Sequence, residues 1–293
     1  MISDKTFERV FSDVSQSLKQ EILQFRLTHM PKIINIEGWD WEYLDCGTGT
    51  RTLILVPGGL RRPSIGWTLL DKLEREYRVI APTYPTTGSM NVLSRGVISI
   101  LDHERIDKFA IIGSSYGGIV LQSILQMVPQ RVTHAVIANT GTISEDQNMV
   151  KQLERRLRLI RVLPGLVVTR VAKWSFKRLL AGIEGEKRRL YEALVDEVFA
   201  RSWLTKIEFV CHFEGLIDFQ LNHRFTPEET CQWDTKVLII KSSDDPGVLE
   251  SASESLDRMY PKAVTHVFEG AGHMPSITRA DEYLKLLREF LKG

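Results

Sequence analysis

The chain has 293 residues, 43% of them hydrophobic and 26% charged, with a formal net charge of +1. That length suits one large α/β domain carrying an insertion, or two small domains, and it can bury a sizeable core without disulfides or metals. Near-neutral charge gives no case for nucleic acid as a partner, and three widely spaced cysteines without a CxxC pair argue against structural zinc.

The first predicted element is an amphipathic helix within residues 1–30. Phe7, Phe11, Val14, Leu18, Ile22 and Phe25 recur at steps of three and four, with Glu8, Asp13, Lys19 and Glu21 on the other face. Such a stripe is expected to pack on the domain's own surface, the alternatives being a homodimer contact or a flap over a site mouth. Charges run through the N-terminal segment, unlike a signal peptide, and no apolar run reaches the about 18 residues of a spanning helix. A cytoplasmic protein is expected.

From Trp39 the pattern changes to short apolar strands alternating with helices. Residues 39–44 read as a strand or hairpin arm turning at Cys46-Gly47-Thr48-Gly49, and 51–56 (RTLILV) as a buried strand. A helix over 67–73 precedes a strand at 78–81 (RVIA), then a helix over 92–101 and a strand at 108–113 (KFAIIG). A helix from Tyr116 to Met127 and a strand over 133–138 follow. Continuous apolar runs imply strands covered on both faces, hence a doubly wound, mostly parallel α/β sheet.

Residues 142–230 break the alternation. They are helical in character and hold no convincing buried strand. Residues 151–161 form a basic amphipathic helix, and Arg170, Lys173, Lys177, Arg178, Lys187, Arg188 and Arg189 continue the excess. The βα pattern resumes with a strand at 236–241 (KVLIIK), a helix near 249–259, a strand at 264–268 and a closing helix over 281–291. The expected organisation is an N-terminal helix (1–30), a first core segment (31–141), a helical lid (142–230) and a second core segment (231–293).

The chemistry centres on Gly113-Ser114-Ser115-Tyr116-Gly117-Gly118, which directly follows an apolar strand and directly opens a helix. A nucleophile on so sharp a turn needs glycine two residues before and two after it, where side chains would collide. Centring on Ser114 would put Ile112 and Tyr116 in those positions, so Ser115 is the candidate nucleophile. Serine needs a base, normally a histidine oriented by a carboxylate. Of seven histidines, His273 alone lies in a small-residue loop after the last predicted strand, Glu269-Gly270-Ala271-Gly272-His273. The others sit in helical, strand or lid contexts that favour packing or surface roles.

The acid belongs on the loop Lys241-Ser242-Ser243-Asp244-Asp245-Pro246, where two adjacent aspartates leave the choice open. Asn139 and Thr140, at the end of the preceding sheet strand, cannot supply a carboxylate. The order Ser, Asp, His is that of a nucleophile-elbow enzyme. Two backbone N–H groups should form an oxyanion hole. Tyr116 supplies one, and the loop Pro57-Gly58-Gly59-Leu60 the other, with Gly59 preferred and Leu60 as fallback.

Taken together, elbow, acid loop and histidine loop resemble the α/β-hydrolase superfamily over residues 32–293. The resemblance implies that fold with a lid, a Ser-His-Asp triad, and neither metal nor cofactor. The superfamily's usual acid loop, in which glycine and two variable residues precede an acid often followed by proline, selects Asp245 and leaves Asp244 to solvent or loop capping. Short stretches also resemble maspardin and its relatives: Phe25-Arg26, Pro31-Lys32-Ile33-Ile34, Arg78-Val79-Ile80-Ala81 with Tyr84-Pro85, the elbow, and Tyr260-Pro261. Pro57-Gly58, where many superfamily members have His-Gly, and Pro82-Thr83-Tyr84-Pro85 resemble that group too. It implies a binding role with an incomplete triad, and the presence of His273 favours catalysis instead.

The expectation is therefore a serine hydrolase cleaving an ester or related acyl bond of a small, largely apolar substrate. A non-catalytic binding or scaffold protein is the alternative. A third reading docks the lid on an anionic membrane, because Leu157, Ile160, Val162 and Leu163 are interspersed with arginines. A solvated lid face over an apolar pocket is the favoured explanation of that pattern.

Overall fold

The computed structural model describes residues 4–144 and 146–292, and an eight-stranded sheet forms its centre. The strands are β1 (Lys32–Ile36), β2 (Trp39–Cys46), β3 (Thr52–Val56), β4 (Arg78–Thr83), β5 (Phe109–Ser114), β6 (Val132–Ala138), β7 (Lys236–Ser242) and β8 (Val264–Phe268). Their order is β1-β2-β4-β3-β5-β6-β7-β8. β2 runs antiparallel to β1 and β4, and every pairing from β4 to β8 is parallel. This is the doubly wound, mostly parallel α/β sheet that the apolar runs predicted.

Neighbouring residues of the central strands feed two separate cores. Leu53, Val79 and Ile112 enter one, and Ile54, Ile80 and Ile111 the other, all of them buried. A strand buried on both faces gains nothing from polar alternation, which is why these segments read as unbroken hydrophobic runs. β1 has the opposite character. It is an edge strand whose residues are exposed or half-buried, and its sequence carries little burial signal. It joins β2 through Glu37 and Gly38, with φ +51° and +85°. Positive φ at both central residues matches the twist of a two-residue hairpin, and glutamate at the first is not the usual signal for it.

The N-terminal stripe folds as two helices rather than one, α1 (Lys5–Val10) and α2 (Gln16–Thr28). Ser12, Asp13 and Ser15 lie in the break. Short polar side chains of this kind compete for backbone hydrogen bonds and favour helix ends over interiors. Phe7, Phe11, Val14, Ile22 and Phe25 are nonetheless buried in one core, with the Phe7 and Phe11 rings stacked 4.3 Å apart.

After β3 come α3 (Trp67–Leu73), α4 (Met90–His103) and α5 (Tyr116–Met127). Between β6 and β7 the chain inserts α6 (Gln147–Val162), α7 (Gly165–Arg178), α8 (Gly185–Ala200), α9 (Lys206–Asn222) and α10 (Pro227–Thr230). The remaining helices are α11 (Glu250–Met259), α12 (Pro275–Thr278) and α13 (Ala280–Lys292).

α1 and α2 are tied to α8 by a buried carboxylate. Arg26 reaches both oxygens of Glu197 at 3.0 and 2.5 Å, and Arg201 bridges Glu197 at 2.8 Å to Asp4 at 2.8 and 3.1 Å. Glu197 is 1% exposed, so its charge depends on these two guanidinium partners.

Candidate active site

β5 delivers the elbow and α5 receives it. Ser115, the N-cap of α5, adopts φ +55° and ψ −125°, a conformation that costs energy for any residue with a side chain. The glycines on either side are required by backbone rather than by each other's side chains. A Cβ on Gly113 would stand 2.3 Å from the Gly117 carbonyl oxygen, and one on Gly117 would stand 2.6 Å from that of Val56. The strained turn is held from the neighbouring strand: Ser115 N–H donates to the Ala138 carbonyl at 3.0 Å, and Thr140 Oγ1 donates to the Ser115 carbonyl at 2.8 Å.

The two aspartates separate cleanly. Asp245 Oδ1 and Oδ2 lie 2.7 and 3.0 Å from His273 Nδ1, and both side chains are 6% exposed. Asp245 also accepts from Gly247 N–H at 2.7 Å and from Asn139 Nδ2 at 2.8 Å. Asp244 instead accepts from Gly272 N–H at 2.8 Å and braces the loop that carries the histidine. A carboxylate against Nδ1 fixes the proton there and leaves Nε2 as the basic nitrogen. Nε2 is buried and has no hydrogen-bond partner among the described residues.

Ser115 and His273 line one cavity of about 190 Å³, together with Gly59 and Leu60. The remaining wall is largely apolar, including Ile65, Leu69, Phe176, Leu180 and Ile277. The serine hydroxyl and Nε2 are not hydrogen-bonded to each other. Such contacts are commonly long without substrate and tighten when it binds.

A family model described as the alpha/beta hydrolase family matches residues 53–286. The chain belongs to the α/β hydrolase family. It is 24% identical over 290 residues to the 2-hydroxy-6-oxononadienedioate/2-hydroxy-6-oxononatrienedioate hydrolase 1 of Dechloromonas aromatica, covering 89% of this chain and 94% of that one. It is 24% identical over 199 residues to esterase YbfF of Escherichia coli, covering 68% and 73% of the two chains. A hydrolase structure from Pseudomonas aeruginosa superposes with a TM-score of 0.74 at 16% identity, covering 90% of this chain and 99% of the other. These findings reach the family and do not extend to the maspardin group that the short stretches resemble.

In this α/β hydrolase the loop after β3 divides between two neighbours. A Cβ on Gly58 would lie 3.4 Å from the Ser114 carbonyl oxygen, so that residue abuts the elbow. One on Gly59 would lie 3.1 Å from His212 Cε1 and 3.2 Å from Phe176 Cε1, so that residue meets the helical insertion. Tyr116 N–H opens α5, while its ring turns away from the cavity and packs 4.4 Å from the His212 ring.

Sequence reasoning missed two residues that support the site. The sequence marks Asn139 only as unable to be the acid, yet it takes φ +45° just after β6 and donates to Asp245 and, at 3.1 Å, to Ser242. Asparagine tolerates that backbone region better than most residues, which is the one signal its identity offered. Gly247 packs on the histidine ring, where a Cβ would fall 2.8 Å from Nδ1. His29, Cys46 and Glu74 bring potential metal-ligand atoms within 4.8 Å of one another. His29 Nε2 already pairs with Glu74 at 2.7 Å and its Nδ1 with the Phe25 carbonyl at 2.8 Å, and none of the three lines the cavity.

His212 gives a stability prediction. Burial, with the Arg61 charge adding to it, lowers its pKa to about 3 from 6.5. It therefore stays neutral when folded but binds a proton when unfolded, so its contribution is intact above pH 6.5 and declines as pH falls toward 3. Between pH 7 and pH 4 that loss is roughly 3 kcal/mol at 1.36 kcal/mol per pH unit. Urea unfolding of the protein and of His212→Phe at both pH values should show a loss smaller by about that amount in the variant. Equal losses would refute the assignment.

Proposed function

We propose that the protein is a serine hydrolase that cleaves an ester or related acyl bond of a small, largely apolar substrate. The observation that supports it best is the buried His273, paired with Asp245 through Nδ1 and opening onto the Ser115 cavity through an unpartnered Nε2. In this reading Nε2 removes the Ser115 proton as Oγ attacks the acyl carbon. The N–H groups of Tyr116 and Gly59, with Leu60 as the alternative to Gly59, stabilise the oxyanion at the positive end of α5. The protonated imidazole returns its proton to the leaving group, and water then releases the acyl-enzyme by the same route.

Cavity size bounds the substrate. An enclosed apolar cavity of ~150 Å³ accepts benzene, so about 190 Å³ suits a short aliphatic or single-ring acyl group. The helical insertion serves here as a lid, with Phe176 and Leu180 covering the site. The names of the two relatives, an esterase and a 2-hydroxy-6-oxononadienedioate/2-hydroxy-6-oxononatrienedioate hydrolase, are compatible with one triad acting on different scissile bonds. A binding or scaffold role would not require the three groups to converge.

The test is a fluorophosphonate probe followed by mass spectrometry. A single adduct on Ser115, lost in His273→Ala, is the expected result. A folded sample that takes no label overturns the reading.

A further inference from the structure

α6 buries most of its apolar side chains, with Leu159 and Val162 exposed, whereas α7 turns a whole apolar face outward. Leu153, Leu157 and Ile160 of α6 are buried. On α7, Val168 and Ala172 are buried and Phe176 lines the cavity, leaving Leu166, Val167, Val171 and Trp174 on the outward face, all exposed. Trp174 is 62% and Leu166 75% exposed. Val162 at the end of α6, at 79%, and Ile207 at the start of α9, at 64%, extend the same patch. Lys206 closes that corner by donating to the carbonyls of Arg161 and Leu163 at 2.6 and 2.7 Å. Contiguous exposed apolar surface of this kind marks an interaction site.

Charge identifies the occupant. Residues 147–178 hold nine basic side chains and one acidic one, in a chain whose net charge is only +1. Arg155, Arg156 and Arg170 have no ion pair among the described residues, and Arg178 lies over the Trp174 ring at 5.8 Å. Protruding aliphatic residues and a tryptophan among arginines have the composition of helices that lie in a membrane interface. A second copy of the chain would bring two basic faces together across a symmetric contact, and nucleic acid would leave the aliphatic side chains uncovered.

We propose that the outward face of α7, with Val162 and Ile207, docks the protein on an anionic phospholipid surface. The opposite side of α7 covers the Ser115 cavity through Phe176, so docking places the cavity roof against the bilayer and shortens the path for an apolar substrate. The docking stands independently of the hydrolytic reading.

Co-sedimentation with vesicles of phosphatidylcholine, alone or mixed with phosphatidylglycerol, tests this at low ionic strength. Binding only to the mixed vesicles is expected. Replacing Arg155, Arg156 and Arg170 together with glutamine should weaken partitioning roughly 100-fold, at about fivefold for each basic side chain. Leu166→Ser, Val171→Ser and Trp174→Ser combined should weaken it at least ~10-fold. All six positions are exposed, and unchanged circular dichroism and thermal midpoints confirm folded variants. Three outcomes overturn the proposal. They are no binding to mixed vesicles, binding untouched by the serine variant, or a concentration-dependent dimer lost in that variant without any vesicle binding.

Discussion

Replacing His273 by alanine is expected to lower turnover of a soluble nitrophenyl ester by about four to six orders of magnitude while leaving the protein folded. Among the described residues the ring makes one polar contact, through Nδ1 to Asp245, and leaves Nε2 unpartnered beside the Ser115 cavity. Without it, no other histidine or carboxylate among the described residues lines the cavity to take the serine proton, and an unassisted hydroxyl is a weak nucleophile. Folding survives because Asp245 keeps the Gly247 N–H and the Asn139 amide as partners, so no buried carboxylate is left bare. Ser115→Ala should lose a similar factor, and the double variant little more, because the groups act as a unit. Steady-state kcat and kcat/KM of the three variants decide the matter. A loss below a hundredfold in His273→Ala would mean that another group activates Ser115.

That prediction was reachable from sequence because the residues behind it leave local marks. The elbow combines an apolar strand, two glycines at fixed offsets and an immediate helix, and backbone contact at 2.3 and 2.6 Å is what enforces those glycines. The parallel sheet was legible for a similar reason, since two cores demand consecutive apolar residues through the middle of β3, β5 and β7, such as Leu53-Ile54, Ile111-Ile112 and Leu238-Ile239-Ile240. Features set by distant partners were not legible. The edge strand β1 buries little, so its hairpin carried no pattern beyond Gly38.

The N-terminal stripe showed which side chains would be buried but not where the helix stops. Burial follows periodicity, whereas the break at Ser12-Asp13 follows local capping preference. In the same way, the arginine-rich stretch of α6 draws attention to Leu157 and Ile160, which are buried, to Leu163, which is half-buried, and to Val162, which is exposed. Most of the exposed apolar face lies on α7. Which stripe of a helical insertion turns outward depends on its neighbours, and those are unknown before the chain is folded.

The second large effect separates two residues that sequence leaves side by side. Asp245→Asn should lower kcat about 10⁴-fold, whereas Asp244→Asn should change it by less than about tenfold. The asymmetry comes from proton placement. Asp245 accepts from His273 Nδ1, so an asparagine there can present its amide N–H to Nδ1 and favour the tautomer protonated on Nε2, where a base is needed. Among the described residues Asp244 accepts only the Gly272 N–H, and asparagine retains an oxygen that can do the same. Asn139→Ala falls between them, roughly 10- to 100-fold, because it removes one of three donors that orient the Asp245 carboxylate and leaves the carboxylate in place. Its KM should stay within about threefold, since Asn139 does not line the cavity. Parallel kcat measurements on the three variants would fail the assignment if Asp244→Asn lost more than Asp245→Asn.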